Sequence, residues 1–289
     1  MNRQQAQPAA ADTSYLSPPE AADFSLLDAA CICMAAVDPL EKVALTQHYA
    51  ARYRAGTLKL PAEAPEPEPI RAPGRPPQLV LVHPRDLPRR GLGSVDGRAA
   101  FIHAIAHIEL NAIDLAWDAV YRFRGLPGSF YADWVSCADD ESRHFVLLRD
   151  RLLAHGHEYA DFPAHNGLWE MCEKTAHDGL ARMALVPRVL EARGLDVTPA
   201  MISKLRSLGD ATTADVLEVI LREEVAHVAA GTRWYHWYCA RAGVEPRTRF
   251  KELLGEYAGG YLRGPFNLEA RLLAGFDEDE LDYLVEQAG

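Results

Sequence analysis

Two Glu-x-x-His pairs carry the clearest chemistry in this chain, Glu141–His144 and Glu224–His227. Residues three apart share a helix face, so each carboxylate points the same way as its imidazole. Both pairs interrupt an otherwise apolar stripe. The first stripe is Trp134, Cys137, Ala138, Phe145, Leu148 and Leu152; the second is Leu217, Ile220, Leu221, Val228 and Gly231. A carboxylate facing an apolar interior is costly unless something pairs with it. A divalent cation satisfies the carboxylate and the neutral imidazole together. One such pair is a weak signal, since the spacing is common by chance. Two, both on core stripes, define a ligand scheme whose remaining members can be sought.

A carboxylate-bridged pair of metal ions in a helical bundle takes one further carboxylate from each of two other helices. Glu109 is the only acid on the stripe Ile102, Ile105, Ala106, Ala112, Ile113 and Ala116. Glu191 is the only acid on the stripe Leu180, Met183, Ala184, Pro187 and Leu190. Spacing selects the same two residues, because Glu109 precedes Glu141 by 32 residues and Glu191 precedes Glu224 by 33. The chain thus repeats one pattern, as two helix hairpins facing each other would. Four carboxylates balance two divalent ions, which lowers the cost of burial. Oxygen and imidazole donors suit iron or manganese better than a thiolate-preferring metal, and open positions would accept dioxygen or water. The competing residues His103, His107 and Asp114 lie on a neighbouring face, as outer partners or towards solvent. Glu170 and Glu173 break the repeat spacing. Pro187 distorts the turn before Glu191, either for packing or to open room beside the site.

The elements that must position these residues are helices. A polar, Pro/Ala-rich N-terminus over 1–20 is expected to be disordered or loosely attached. A helical pair follows over 21–56, broken at Asp38-Pro39, and a Pro-rich extended connector over 57–97. Within the connector, Leu79–Val82 reads as a short strand or an apolar segment laid over the helices. Long helices are expected over about 98–123, 129–155, 167–193 and 210–242, with a shorter one over about 199–208, several ended by Gly. This core, 98–245, carries the metal residues, and 246–289 forms a C-terminal helical cap. The aromatic run Trp234–Tyr238 needs cover from the N-terminal helices, the C-terminal segment or a homodimer interface. Trp117, Tyr121, His177 and Asp178 are core residues or line a substrate space.

The 289 residues carry a formal net charge of -11, which disfavours nucleic acid and anionic lipid as partners. Five cysteines, Cys31, Cys33, Cys137, Cys172 and Cys239, form no disulfide scaffold and fit free thiols in a reducing compartment. With no apolar leader and no run near the roughly 18 apolar residues of a membrane span, the expected location is cytoplasmic.

Asp140-Glu141-Ser142-Arg143-His144 resembles the Asp-Glu-x-Arg-His signature of the ferritin-like diiron-carboxylate superfamily. The second motif, Glu223-Glu224-Val225-Ala226-His227, departs from it, with Glu for the leading Asp and Ala for Arg. The resemblance implies an all-α ferritin-like four-helix bundle. It also implies that Asp140 orients His227 and Glu223 orients His144, the longer Glu223 leaving the His144 position the looser one. Segments 184–196 and 264–271 resemble a bacterial family of ferritin-like proteins with no settled reaction.

The first expectation is an oxygen-dependent oxidase or hydroxylase. Two iron ions, or a manganese/iron pair, would be held by Glu109, Glu141, His144, Glu191, Glu224 and His227. It would act on a small organic substrate and draw electrons from an external donor, since the chain carries no flavin or reductase motif. The alternatives are ferritin-like metal storage or detoxification, and hydroxylation of a tRNA base. Storage requires a large symmetric shell, which the connector and cap would obstruct. Size-exclusion chromatography should therefore show a small particle, and a shell-sized one overturns the enzyme reading.

Overall fold

The computed structural model describes residues 24–88, 90–257 and 263–288. The N-terminal stretch over 1–20 lies outside the described residues. The N-terminal pair is α1 (Leu26–Ala35) and α2 (Pro39–Arg54). Next come α3 (Val95–Arg122), α4 (Gly128–Ala154) and the short α5 (Gly167–Lys174). Helix α6 (Gly179–Leu185), a π-helical turn (Val186–Glu191) and α7 (Ala192–Ser207) run without interruption. Then follow α8 (Ala211–Ala242), α9 (Pro246–Tyr257), α10 (Leu268–Leu273) and α11 (Glu278–Ala288). No strand occurs among the described residues; Leu81 makes one isolated parallel bridge with Ala164.

Local chemistry explains the starts and stops. Ser94 accepts from Gly97 N–H at 3.0 Å at the head of α3, and Asp210 accepts from Thr213 N–H at 3.1 Å at the head of α8. Gly243, at φ 68°, closes α8 in the left-handed region. Helix α3 packs along α4, while α8 lies against α4 and against the α6–π–α7 rod. Helix α1 covers α3, and α2 covers α4.

The rod departs from the expected boundaries. Rather than running from 167 to 193, the chain breaks after α5, because Asp178 accepts from Leu180 N–H at 2.8 Å and starts a new helix. That helix then passes through Gly194 and Pro199 to Ser207. Gly194 and Pro199 disfavour a helix locally, and packing along α8 overrides them. Pro187 cannot donate to a carbonyl in the preceding turn. The helix widens there, and Ala192 N–H reaches back to Pro187 O. The proline ring presses on Gly231 of α8, where any side chain would collide with it.

Helix α3 is long and apolar enough to cross a membrane by length and composition, contrary to the expectation that no run qualifies. Yet 72% of its apolar window is buried inside the protein, and the faces turned from α4 carry acids. Asp114 is fully buried, 2.6 Å from the Lys42 ammonium of α2. Lys42 also donates to Cys33 O at 2.9 Å and Met34 O at 3.0 Å. From the connector, Arg75 pairs with Asp114 and donates to Asn111 Oδ1 at 2.7 Å. These charges tie the N-terminal pair and the connector onto α3. Asp118, one turn on, pairs with Arg122 at 2.6 Å and Arg182 at 2.5 Å.

His103 and His107 are buried as well, so they do not face solvent. His107 Nε2 lies 3.0 Å from His165 O. His103 Nε2 accepts from Ala160 N–H at 3.0 Å, which requires that nitrogen to be unprotonated. Burial, against the opposing charge of Asp161, lowers the His103 pKa to about 4. The folded pKa is thus below the unfolded value of about 6.5. The neutral ring's contribution is complete above that value and is lost as pH falls towards 4. Between pH 7 and 5 this one group should cost about 2 kcal/mol. Thermal melts of His103→Gln, which keeps an acceptor without titrating there, should show a shallower loss across that window than wild type.

Candidate metal centre

The six expected ligands come from four separately positioned elements. Glu109 projects from α3, Glu141 and His144 from α4, Glu191 from the last residue of the π turn, and Glu224 and His227 from α8. Donor atoms of Glu109, Glu141, His144 and Glu224 all lie within 4.8 Å of one another. His144 Nδ1 is 3.1 Å from Glu109 Oε2, 3.3 Å from Glu141 Oε2 and 3.9 Å from Glu224 Oε1. His227 Nδ1 is 3.0 Å from Glu141 Oε1 and 3.6 Å from Glu224 Oε1. Glu141 therefore stands between the two imidazoles, one oxygen towards each. Glu191 lines the same cavity as Glu109, Glu141 and Glu224 but falls outside that tight group.

Donor atoms at about 2.1 Å from one cation and about 90° apart lie about 3.0 Å from each other. The nitrogen–oxygen separations match that scale. Among the expected ligands, His227 Nδ1 and Glu191 Oε2 are buried without a well-aimed hydrogen bond. Glu141 Oε1 approaches His227 Nδ1 closely, but no N–H is aimed along the line between them. These donors fit a metal ion.

The outer ring nitrogens are held by carboxylates. Asp140 Oδ2 is 3.2 Å from His227 Nε2, and Glu223 Oε2 is 2.9 Å from His144 Nε2. Carboxylates outside favour the proton on Nε2, which turns the Nδ1 lone pairs inward. Arg143 pairs with both Asp140 and Glu223. The Glu223–His144 contact, expected to be the looser, is the shorter of the two, while the two carboxylates have similar exposure and share one guanidinium.

Charge within the cluster shows what it lacks. Burial, then the charge of Glu141, pushes the Glu109 carboxyl up to about 8. Burial, with Glu224 and Glu141, raises Glu191 well above the usual range. Burial works to lower the His144 pKa, but Glu109 and Glu141 outweigh it and raise it to about 11. Without a cation, the cluster holds protons where positive charge is needed.

Beside it lies a cavity of about 160 Å³. Glu109, Glu141, Glu191 and Glu224 give it one acidic wall; Ile105, Ala112, Leu190, Leu217 and Ile220 make the others apolar. The π turn thus sets both Leu190 and Glu191 on the cavity. Trp117, Tyr121, His177 and Asp178 do not line it. Trp117 is core, donating to Thr46 Oγ1 at 3.0 Å, and Asp178 is the cap of α6. One residue beside the cluster escaped the sequence reading. Cys137, counted with the apolar stripe, groups with Glu141 and His227. The available signal was its place one turn before Glu141 on the same face.

The fold and site define an all-helical protein with a buried Glu/His/Cys cluster able to hold a metal ion. The chain belongs to the family described as "Protein of unknown function (DUF455)", which matches residues 35–282. A Haemophilus influenzae protein, itself described as uncharacterized, is 45% identical over 220 residues, spanning 73% of this chain and 76% of its own length. No solved structure gives a significant match.

Residues placed for metal binding at the expense of stability have a double signature. Glu191→Gln removes a buried carboxyl that must take up a proton on folding at neutral pH, so it should raise the melting temperature of metal-free protein while weakening metal binding. Asp140→Asn and Glu223→Gln should each weaken binding by about 10–100-fold. Calorimetric titration with Mn²⁺ or anaerobic Fe²⁺, alongside thermal melts, measures both.

Proposed function

We propose that this is a ferritin-like dinuclear-metal carboxylate protein that uses dioxygen to oxidise a small, mostly apolar organic substrate. Glu109, Glu141, His144, Glu191, Glu224 and His227 would hold two ions, an iron pair or a manganese/iron pair. The observation that carries this reading is a cavity that four carboxylates share with mostly apolar side chains, Arg193 and Thr198 being the other polar residues on it. An engineered apolar cavity of about 150 Å³ stays dry and accepts benzene, so a cavity of about 160 Å³ suits a ligand of that order.

A bound metal pair would supply the electrons that reduce dioxygen. The protein's part is to position and to exclude. Ile105, Leu217 and Ile220 keep water from the acidic wall. Asp140 and Glu223 hold the imidazoles by their outer nitrogens, so the inner ones keep their aim. Glu141, with one oxygen towards each histidine, is placed to bridge. An external electron donor is part of the proposal.

The apolar lining favours an enzyme over a storage protein, since hydrated ions need a polar path. The formal charge of -11 opposes a polyanionic substrate such as tRNA.

Anaerobic loading with Fe²⁺ followed by elemental analysis should give about two ions per chain, the stoichiometry of di-iron carboxylate bundles. Glu141→Ala should lower both occupancies together. Fewer than about one ion per wild-type chain overturns the reading.

A further inference from the structure

The two ends of the cluster are not chemically alike. Glu109, Glu141, His144 and Glu224 offer only oxygen and nitrogen. Cys137 Sγ, a Glu141 oxygen and a His227 ring nitrogen form a second group, also within 4.8 Å of one another. Sγ lies 4.0 Å from Glu141 Oε1. Cys137 and His227 are both buried and interact directly, and His227 Nδ1 is left without a well-aimed hydrogen bond. Packing alone would account for a small apolar side chain here. It would not account for a buried imidazole nitrogen without a well-aimed hydrogen bond and a carboxylate oxygen, both grouped with the sulfur.

We propose that Cys137 is a metal ligand, forming with Glu141 and His227 a sulfur-containing position beside the oxygen/nitrogen position of Glu109, Glu141, His144 and Glu224. The inference rests on the metal reading of this site. On binding, the thiol proton leaves to solvent and a sulfur–metal bond of about 2.3 Å forms. Donors around one tetrahedral ion at about 2.1 and 2.3 Å are about 3.6 Å apart, so Sγ closes by a few tenths of an ångström. A thiolate selects softer ions, while carboxylate-rich sites suit manganese and magnesium. The two positions therefore discriminate between metals. The sulfur end prefers cobalt, iron or zinc to manganese, and the oxygen end accepts manganese.

Cobalt(II) tests this on the full-length protein, with spectra recorded during titration. Wild type should bind about two equivalents and develop a near-ultraviolet thiolate-to-cobalt charge-transfer band. Cys137→Ser should lose that band and bind one equivalent at least tenfold more weakly, leaving the other unchanged. X-ray absorption at the cobalt edge of wild type needs no variant and should show sulfur at about 2.3 Å. Two equivalents bound with only oxygen and nitrogen neighbours, or a band that survives in Cys137→Ser, overturn the inference and leave the dinuclear reading standing. Failure to bind cobalt stoichiometrically overturns both.

Discussion

Four carboxylates, Glu109, Glu141, Glu191 and Glu224, converge in a helical interior where each raises the cost of the others. That crowding explains why protons are held on Glu109, Glu191 and His144 above their usual ranges. It also explains why so much surrounding structure is devoted to rigidity. Left to relax, the four carboxyl groups would spread apart or take in water. They are kept in place because α3 is buried along most of its length and because the π turn is wedged against α8 at Gly231.

That enclosure is built from a second set of charges. Asp114 and Asp118 sit on α3 one turn apart, each buried and each paired with two cations. Buried ion pairs contribute little net stability over apolar packing, but breaking one is costly. Their effect here is registry. Lys42 and Arg75 can meet Asp114 only if the N-terminal pair and the connector lie in one arrangement on α3. The proline-rich connector has little regular structure, and such side-chain anchors, with Trp169 Nε1–H donating to Arg71 O at 3.1 Å, fix its path.

Helical periodicity made the acidic cluster legible in the sequence, because a Glu or His on an apolar stripe has only one direction to point. The repeat spacing drew attention to Glu109 and Glu191. What periodicity could not reveal is where the period itself changes. The π turn adds a residue and shifts the phase of everything after it, and only the Pro187–Gly231 contact fixes where it falls. The break at Asp178 was hidden because a capping carboxylate looks like any surface acid. Arg75 and Lys42 gave no signal at all, since their meaning depends on an acid far away in sequence. Cys137 was missed for a different reason: a buried cysteine behaves as a small hydrophobe until a donor set surrounds it.

The uneven motifs of the two halves look different once Arg143 is placed. In sequence, Asp140–His144 has an arginine where Glu223–His227 has Ala226, as if the second copy had decayed. In space, one guanidinium reaches both outer carboxylates. The longer Glu223 side chain is what lets the second half share it. A second arginine at position 226 would crowd a like charge into a gap already bridged. The asymmetry is thus an economy of the assembled pair: a single cation serves as common keystone for both imidazoles, and neither half is complete without the other.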